Sequence, residues 1–284
     1  MRKTRKWQSY ELMDAGDHKK VERFNNLVIE RPEPKAFWKM KKSYKLDASF
    51  DKTWTYNNDK DTETTLTYDD MTFKVAINQG KQVGLFPEQA VNWDWMRTVI
   101  GKEQRPLRIL NLFAYTGGAS IACAMENIQE LVHIDALKSA NTWAKENIAL
   151  NHLEDKHIRI IQEDAIKFLD REKRRGRTYD AIIMDPPSFG RGPKNEQWKI
   201  EDQLDTLLTK AVDLLSDEAV FLALNTYTTN LSSKDVLRVL NEKLHAKNLP
   251  LHTHSEEIGL TISASGNSLA CGITTRWVRL AHYL

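Results

Sequence analysis

From about Leu107 onward, short apolar runs alternate with segments of helical spacing, and this alternation constrains the fold more than any other feature. The runs that we predict to be strands are residues 108–112, 131–134, 158–161, 181–184, 219–224, 252–258 and 272–280. The helices predicted between them are residues 118–126, 139–150, 165–174, 203–215 and 233–246, the last with Ser232 or Ser233 as its N-cap. Such alternation predicts βαβ units, and therefore a largely parallel α/β sheet of seven strands.

The first third of the chain has a different pattern. Residues 63–80 form alternating, β-branched runs broken by turn residues, which is typical of antiparallel strands. We therefore predict two parts, a small β-rich N-terminal segment over residues 1–103 and an α/β domain over residues 104–284.

The basic residues of the chain are concentrated near its start. Residues 1–60 hold 15 Lys and Arg against 9 Asp and Glu, although the net charge of the whole chain is only +2. Four lysines are interleaved with two aromatic residues: Lys39, Lys41, Lys42 and Lys45 with Trp38 and Tyr44. Basic and aromatic side chains together can bind phosphate and stack on bases, so this segment is a candidate RNA contact. An ordinary solvated surface is the alternative.

Composition excludes several classes of protein. The longest apolar runs fall far short of the ~20 residues that a membrane span needs. The basic start of the chain lacks the apolar stretch of a signal peptide, so we expect a cytoplasmic protein. Cys123 and Cys271 are the two cysteines and lie far apart, so neither a disulfide framework nor a metal site is predicted.

Three strand ends carry groups that suit one kind of ligand. Residues 111–120 form a Gly-containing turn between the first strand and a helix, whose backbone amides can meet a polar ligand. Asp135 ends the second strand, where a carboxylate can accept bonds from vicinal ribose hydroxyls. Asp164 ends the third strand and can accept from an adenine amino group, cap the following helix, or do both. The turn has adjacent glycines rather than a dinucleotide fingerprint, so the set favours S-adenosylmethionine over NAD.

The fourth strand ends in Asp185, Pro186 and Pro187, followed by Ser188 and Phe189. Two prolines fix φ, so the Asp185 carboxylate is a preorganised acceptor that can hold an amino group or a ring N–H. Phe189 can stack on an extruded base. Arg191 and Lys194 can bind substrate phosphates, and Lys199 can do the same, although exposed loop charge is the alternative. The basic run from Arg171 to Arg177 is interpreted as a helix C-terminus.

These motifs resemble class I S-adenosylmethionine-dependent methyltransferases, specifically the bacterial ribosomal-RNA large-subunit methyltransferase-like family. The resemblance rests on residues 111–118, 133–136, 163–165 and 185–194, in that order, and extends over about residues 80–284. It implies a Rossmann-like seven-stranded sheet and a cofactor lid at residues 82–89, within the N-terminal segment. The cofactor residues that we predict are Phe86, Gln89, Ala114, Tyr115, Thr116, Gly117, Gly118, Asp135, Ala136, Asp164 and Ala165.

The prediction of the methylated atom rests on the absence of a nucleophilic cysteine from the end of the fifth strand. Members of the family that methylate carbon 5 of a pyrimidine place a cysteine at the end of the fifth strand, whereas this chain has Asn225 and Tyr227 there. We therefore predict methylation of a base nitrogen in RNA, ribosomal RNA being the expected substrate, with Asn225 and Tyr227 as substrate contacts. The alternatives are a methyltransferase acting on a protein side-chain amide or a small molecule, and a nucleotide- or RNA-binding module without catalysis.

Overall fold

The computed structural model describes residues 1–4, 6–78, 80–191, 197–227 and 229–284, and the chain divides into two compact units. The first unit comprises Met1–Val91 and Ile258–Cys271, and the second comprises Asn92–Glu257 and Gly272–Leu284. Within the described ranges, no helix is both long and apolar enough to span a membrane. The division of the sequence at residue 103 stays a prediction.

Strands dominate the first unit, as its sequence predicts. Five of them form one sheet in chain order: β1 (Tyr10–Gly16), β2 (Lys19–Phe24), β3 (Leu27–Pro32), β4 (Ala48–Phe50) and β5 (Trp54–Tyr56). A separate hairpin joins β6 (Glu63–Tyr68) to β7 (Met71–Ala76) through a turn at Asp69 and Asp70. Alternate residues of this hairpin are buried, among them Leu66, Phe73 and Val75. The prediction of a β-rich N-terminal region is therefore confirmed.

The helix α1 (Ala90–Lys102) was not predicted from the sequence. It follows a short 3-10 helix, Pro87–Gln89. Val91, Trp95 and Val99 are buried and recur every four residues, which places them on one helical face. This spacing is present in the sequence and was the signal available for the helix.

From residue 107 onward, the chain follows the predicted alternation. The elements are β8 (Leu107–Leu112), α2 (Gly118–Ala124), β9 (Ile128–Asp135), α3 (Lys138–Leu150), β10 (Ile158–Gln162), α4 (Ala165–Arg174), β11 (Ala181–Met184), β12 (Phe189–Arg191), β13 (Gln197–Lys199), α5 (Ile200–Asp213), β14 (Phe221–Thr226), α6 (Ser233–Ala246), β15 (Thr253–Thr261) and β16 (Ser268–Val278). The end of β15 and the start of β16 belong to the first unit. The boundaries of β11, α4 and α6 agree with the prediction, and Ser232 is the N-cap of α6, in a capping box with Asp235.

The main sheet has seven strands in the order β10-β9-β8-β11-β14-β16-β15. β10, β9, β8, β11 and β14 are parallel, and β16 is antiparallel to β14. The chain winds outward from β8 through β9 to β10 and then returns to β11 on the other side of β8. Ligands of open α/β sheets bind at such a reversal, beyond the carboxyl ends of the strands. The predicted α/β fold is confirmed, and it brings the ends of β8 and β11 together.

Alternation along the strands separates two faces of this sheet. Leu110 and Leu112 of β8 join the apolar core formed with α4, α5 and α6. Asn111 lies between them, so its side chain points to the opposite face. There its Nδ2 donates to Ser120 Oγ of α2 at 2.9 Å. One face of the sheet is thus apolar, and the other carries polar groups directly beneath the loop that follows β8.

Candidate active site

The loop after β8 has a backbone that few sequences can adopt. Phe113, Tyr115 and Gly117 have φ angles of 56°, 51° and 93°, in the left-handed region. Gly117 is the N-cap of α2, and a side chain at its φ would be strained. Gly118 begins the helix, and a Cβ atom there would lie 2.8 Å from Trp93 Cζ2. The adjacent glycines are therefore required by the turn and by packing against α1.

Asp135 lies against this loop, at the position the sequence predicts. Its Oδ2 accepts from the backbone N–H of Tyr115 at 2.8 Å, and its Oδ1 accepts from the N–H of Leu137 at 2.8 Å. Burial raises the pKa of the carboxyl, whereas the bonds from Leu137 and Tyr115 oppose that shift. The carboxylate therefore fixes the loop after β8 to the start of α3, which the sequence analysis did not foresee.

A buried polar layer supports the same loop from below. Ser120 Oγ lies 2.9 Å from His133 Nδ1, and Asn147 Nδ2 donates to the carbonyl of Thr116 at 2.9 Å. Burial lowers the pKa of His133 to about 4, so the imidazole is neutral at physiological pH. His133 is thus a packed core residue, as its place inside a strand predicts.

Asp164 caps α4. Its Oδ1 accepts from the backbone N–H of Lys167 at 2.9 Å, and its side chain is otherwise exposed beyond the end of β10. Ala136 is also exposed, next to Asp135, and Ala165 is buried in the first turn of α4. The capping function is confirmed, and the contact with adenine remains a prediction.

The turn at residues 185–188 follows β11, which pairs with β8 on one side and β14 on the other. The N–H of Asp185 donates to the carbonyl of Leu112 at 3.3 Å, so the Asp185 side chain begins where β8 ends. Asp185 is half-buried. Phe189 is 56% exposed, as expected of a ring that is available for stacking.

Trp198 was missed by the sequence analysis. Its Nε1 donates to the carbonyl of Pro187 at 2.7 Å, and its ring centroid lies 5.2 Å from that of Phe113. Trp198 therefore connects the loop after β8 with the turn after β11. The sequence offers no spacing signal for this contact, because Trp198 is separated from Phe113 by four strands and three helices.

The predicted substrate contacts fall into two groups. Asn225 lies near the end of β14, where its Oδ1 accepts from Asn92 Nδ2 at 2.9 Å, and Tyr227 directly follows the strand. A Cβ atom on Gly272 would lie 2.8 Å from the Tyr227 ring, so this glycine makes room for it. The backbone of Arg191 pairs with Gln197 in the β12–β13 hairpin. Lys194 lies outside the described residues.

Phe86 and Gln89 belong to the first unit. The carbonyl of Phe86 accepts from the N–H of Gln89 at 3.0 Å, and Gln89 is buried. Trp7 Nε1 donates to the carbonyl of Pro87 at 3.0 Å, which anchors the same turn. Their contact with a cofactor remains a prediction.

The basic run from Arg171 to Arg177 is ion-paired. Arg171 pairs with Glu163, Lys173 with Asp213, and Arg177 with Glu130. The last turn of α4 contains three basic residues of this run, Arg171, Lys173 and Arg174. Positive charge at this end of a helix stabilises the helix dipole. The interpretation as a helix C-terminus is supported.

Comparison with known proteins identifies a family. The family model for S-adenosylmethionine-dependent methyltransferases matches residues 38–228. The chain is 31% identical over 146 residues to a "Ribosomal RNA large subunit methyltransferase K/L" from Shewanella sp. strain ANA-3, a match that covers 51% of this chain but 20% of that protein. The chain thus spans about a fifth of the length of the curated relatives that it matches.

Solved structures extend the comparison to the whole chain. The crystal structure of a SAM-dependent methyltransferase from Agrobacterium tumefaciens has a TM-score of 0.90 and 32% identity, covering 98% of this chain and 93% of that one. A candidate methyltransferase crystallised with S-adenosylhomocysteine (SAH) has a TM-score of 0.74 and 16% identity, covering 95% of this chain and 76% of that one. At that identity the second likeness shows the fold alone.

Proposed function

Because the chain belongs to the S-adenosylmethionine-dependent methyltransferase family, we propose that it transfers the methyl group to RNA, at a base nitrogen, with ribosomal RNA as the substrate. The chain is a methyltransferase, and S-adenosylmethionine is its methyl donor. The relatives named as ribosomal RNA methyltransferases support the RNA part of the proposal. A ribosomal substrate also supports a cytoplasmic location.

The groups around the loop after β8 fit the donor molecule. Each carboxylate oxygen of Asp135 accepts one backbone N–H, and an oxygen of this kind has about two lone pairs. Two acceptor positions therefore remain for the vicinal hydroxyls of ribose. Asp164 uses Oδ1 to cap α4, which leaves Oδ2 for the adenine amino group. The N–H groups of Ala114, Tyr115 and Gly117 already donate within the protein. Other backbone groups of residues 114–118 are therefore proposed to receive the amino-acid end.

Asp185 is proposed to bind the methyl-accepting nitrogen. S-adenosylmethionine supplies an electrophilic methyl group on a positively charged sulfur. The Asp185 carboxylate accepts an N–H of the target, which orients the nitrogen lone pair and stabilises the positive charge that develops on the nitrogen. Pro186, Pro187 and Ser188 hold this carboxylate in place, and Phe189 stacks on the target base. Alignment of two bound reactants accounts for most of the rate increase.

Both cysteines argue against a carbon target. Burial raises the pKa of the Cys123 thiol and of the Cys271 thiol, so neither forms a thiolate readily. Cys123 lies in α2 and Cys271 belongs to the first unit, whereas β14 ends in Asn225 and Thr226. A nitrogen carries its own lone pair and needs no covalent activation, so nitrogen methylation is the reaction that this site supports.

The observation that carries the RNA assignment is a rigid basic loop, residues 33–47 of the first unit. Its five lysines are all exposed, and the side chain of Lys39 is 92% exposed. They are Lys35, Lys39, Lys41, Lys42 and Lys45. Phe37 is 77% exposed, the largest value among the exposed large apolar side chains of the described residues. Proteins that bind single-stranded RNA combine positive charges, which bind phosphates, with aromatic rings, which stack on bases. The basic loop offers both.

The basic loop is held in one conformation by β1. Asp14 Oδ2 accepts from the backbone N–H of Lys41 at 2.9 Å and from the Tyr44 hydroxyl at 3.2 Å. Trp38 Nε1 donates to the carbonyl of Ala15 at 2.6 Å. A Cβ atom on Gly16 would lie 2.3 Å from the Met40 nitrogen, so only glycine permits this approach. Trp38 and Tyr44 thus anchor the loop, and Phe37 is the ring left for a base.

The test measures transfer of a labelled methyl group from S-adenosylmethionine to ribosomal RNA taken from cells that lack the protein. We expect wild-type protein to label this RNA, with the product identified as an N-methylated nucleoside by mass spectrometry. Replacing four lysines of the basic loop by glutamate lowers labelling, whereas binding of S-adenosylmethionine is unchanged. The four are Lys39, Lys41, Lys42 and Lys45. The affinity for RNA falls with rising salt, because phosphate contacts release counterions.

Two outcomes contradict the proposal. Labelling of protein or of a small-molecule fraction in place of RNA would replace the substrate class. Labelling of RNA that is unaffected by the lysine replacements would remove the basic loop from the RNA surface. Asp185→Ala is the control for the site, since it is expected to abolish transfer and to leave RNA binding intact.

A further inference from the structure

Asn92 is a buried amide of α1 whose side chain contacts the end of β14. We infer that Asn92 fixes the orientation of the Asn225 amide, so that Asn225 offers its NH2 group, a hydrogen-bond donor, beside the acceptor Asp185. Asn92 is thus a positioning residue that acts through Asn225. The inference rests on the proposed function for the identity of the group that receives this bond.

The orientation follows from what each group can donate. Arg276 Nη2 lies at hydrogen-bond distance from Asn92 Oδ1, and a guanidinium group has no acceptor. The Asn92 atom that faces Arg276 must therefore be its oxygen. The other atom of that amide is Nδ2, which can only donate, and it lies 2.9 Å from Asn225. Asn225 consequently turns its oxygen toward α1, and its own NH2 group is the part that α1 does not engage.

Burial makes this arrangement costly to reverse. Arg276 is 1% exposed. Its Cζ atom lies 4.5 Å from the centroid of the Trp95 ring, and its Nη1 atom lies 3.9 Å from Glu256 Oε1. Thr274 Oγ1 donates to the same oxygen of Asn92 at 3.1 Å. A flipped Asn92 would place its NH2 group against the guanidinium, donor against donor, and both side chains are buried.

The strand register places Asn225 next to Asp185. Met184 of β11 pairs with Leu224 of β14, and both lie in the apolar core. Asp185 and Asn225 come one residue later on neighbouring parallel strands, so they occupy the same edge of the sheet. A carboxylate acceptor beside an amide donor recognises a planar group with an N–H next to an acceptor atom. An exocyclic amine adjacent to a ring nitrogen has this pattern.

The experiment uses Asn92→Asp, which preserves size and the acceptor for Arg276 but removes the donor. Asn225 must then rotate to donate to the new carboxylate, and its oxygen replaces the NH2 group at the strand end. We expect kcat for RNA methylation to fall at least about 10-fold, the equivalent of one lost hydrogen bond, while the Kd of S-adenosylmethionine is unchanged. Asn225→Asp removes the same donor directly and is expected to have the same effect.

Thr275→Val is the matched control. Thr275 is the next buried threonine of β16, and its hydroxyl contacts Ser255 at 2.9 Å instead of Asn92. We expect this variant to retain the wild-type kcat. A loss of kcat as large as that of Asn92→Asp would show that any disturbance of the strand is sufficient, which would overturn the inference.

A second measurement does not depend on the substrate. In protein labelled with 15N-asparagine, the side-chain signal of Asn225 is the one absent from Asn225→Asp. In Asn92→Asp this signal should shift and its protons should exchange more slowly, because the NH2 group has become a buried donor. An unchanged signal would overturn the inference. If wild-type protein does not methylate RNA, the proposed function fails, and this signal still decides the amide orientation.

Discussion

The loops that follow β8 and β11 meet at the reversal of the sheet, but they are held in different ways. The loop after β8 is bonded to β9 through Asp135 and to α3 through Asn147, and the buried bond from Asn111 to Ser120 lies beneath it. The turn after β11 takes its shape from two proline φ angles and from an indole bond supplied by Trp198, which lies in an outer hairpin. One loop is thus part of the core, and the other is supported from outside it.

This difference suits the two reactants. The methyl donor is the same molecule in every turnover, so its binding site does not need to change shape and can be fixed by buried polar contacts. Under the proposed function, the methyl acceptor is a base of RNA, and the turn after β11 is the part of the site that positions it. If the loop after β8 and the turn after β11 are two separate halves of the site, a change in one half should leave the function of the other intact.

Asp135→Ala should have the largest effect. It removes the proposed ribose acceptor together with one hydrogen bond to the loop after β8 and one to the start of α3. Bonds to a charged group contribute about 1.5–3 kcal/mol each. We expect the Kd of S-adenosylmethionine, measured by calorimetry, to rise by a factor of roughly 100 to 1000. Asp213→Ala, which removes a surface carboxylate paired with Lys173, should bind normally. Wild-type affinity in Asp135→Ala would show that the loop does not depend on this carboxylate.

Low pH should destabilise the protein through protonation of His133, which lies beneath the loop after β8. The pKa of His133 is about 4 in the folded protein and about 6.5 in the unfolded chain, so the unfolded chain binds more protons between these values. The free energy of unfolding is therefore expected to fall by about 3 kcal/mol as the pH decreases from 6.5 to 4. Urea titrations across this range check the slope. His133→Gln should reduce it.

Trp198→Phe tests the other half. The change keeps a ring against Phe113 but removes the donor to the Pro187 carbonyl, so the turn that carries Asp185 loses a support. We expect kcat to fall about 10-fold, in line with the loss of one hydrogen bond, with no change in the Kd of S-adenosylmethionine. If the affinity for S-adenosylmethionine falls together with kcat, the two loops form one unit and are not held independently.

The sequence predicts elements better than it predicts the contacts between them. The strands of the main sheet, the caps at Asp164 and Ser232, and the place of Asp135 beside the loop all follow from spacing and local chemistry. The bonds from Trp198 to Pro187 and from Asn92 to Asn225 do not, because each joins residues that only the fold brings together. Asp135 shows the same limit in a single residue: its position was predictable, but its bonds to two backbone amides were not.

Lys247→Met should have the smallest effect and lies outside both halves. Lys247 Nζ donates to the carbonyls of Val212 and Asp213 at the end of α5, and to the carbonyl of Leu215 just beyond it. Its loss should lower the free energy of unfolding by about 1 kcal/mol in urea titrations, because these carbonyls can still bind water. Lys234→Met, an exposed lysine at the start of α6, is the control and should be neutral. Since stability alone should change, altered methyl transfer in Lys247→Met would mean that the end of α5 is coupled to the turn after β11.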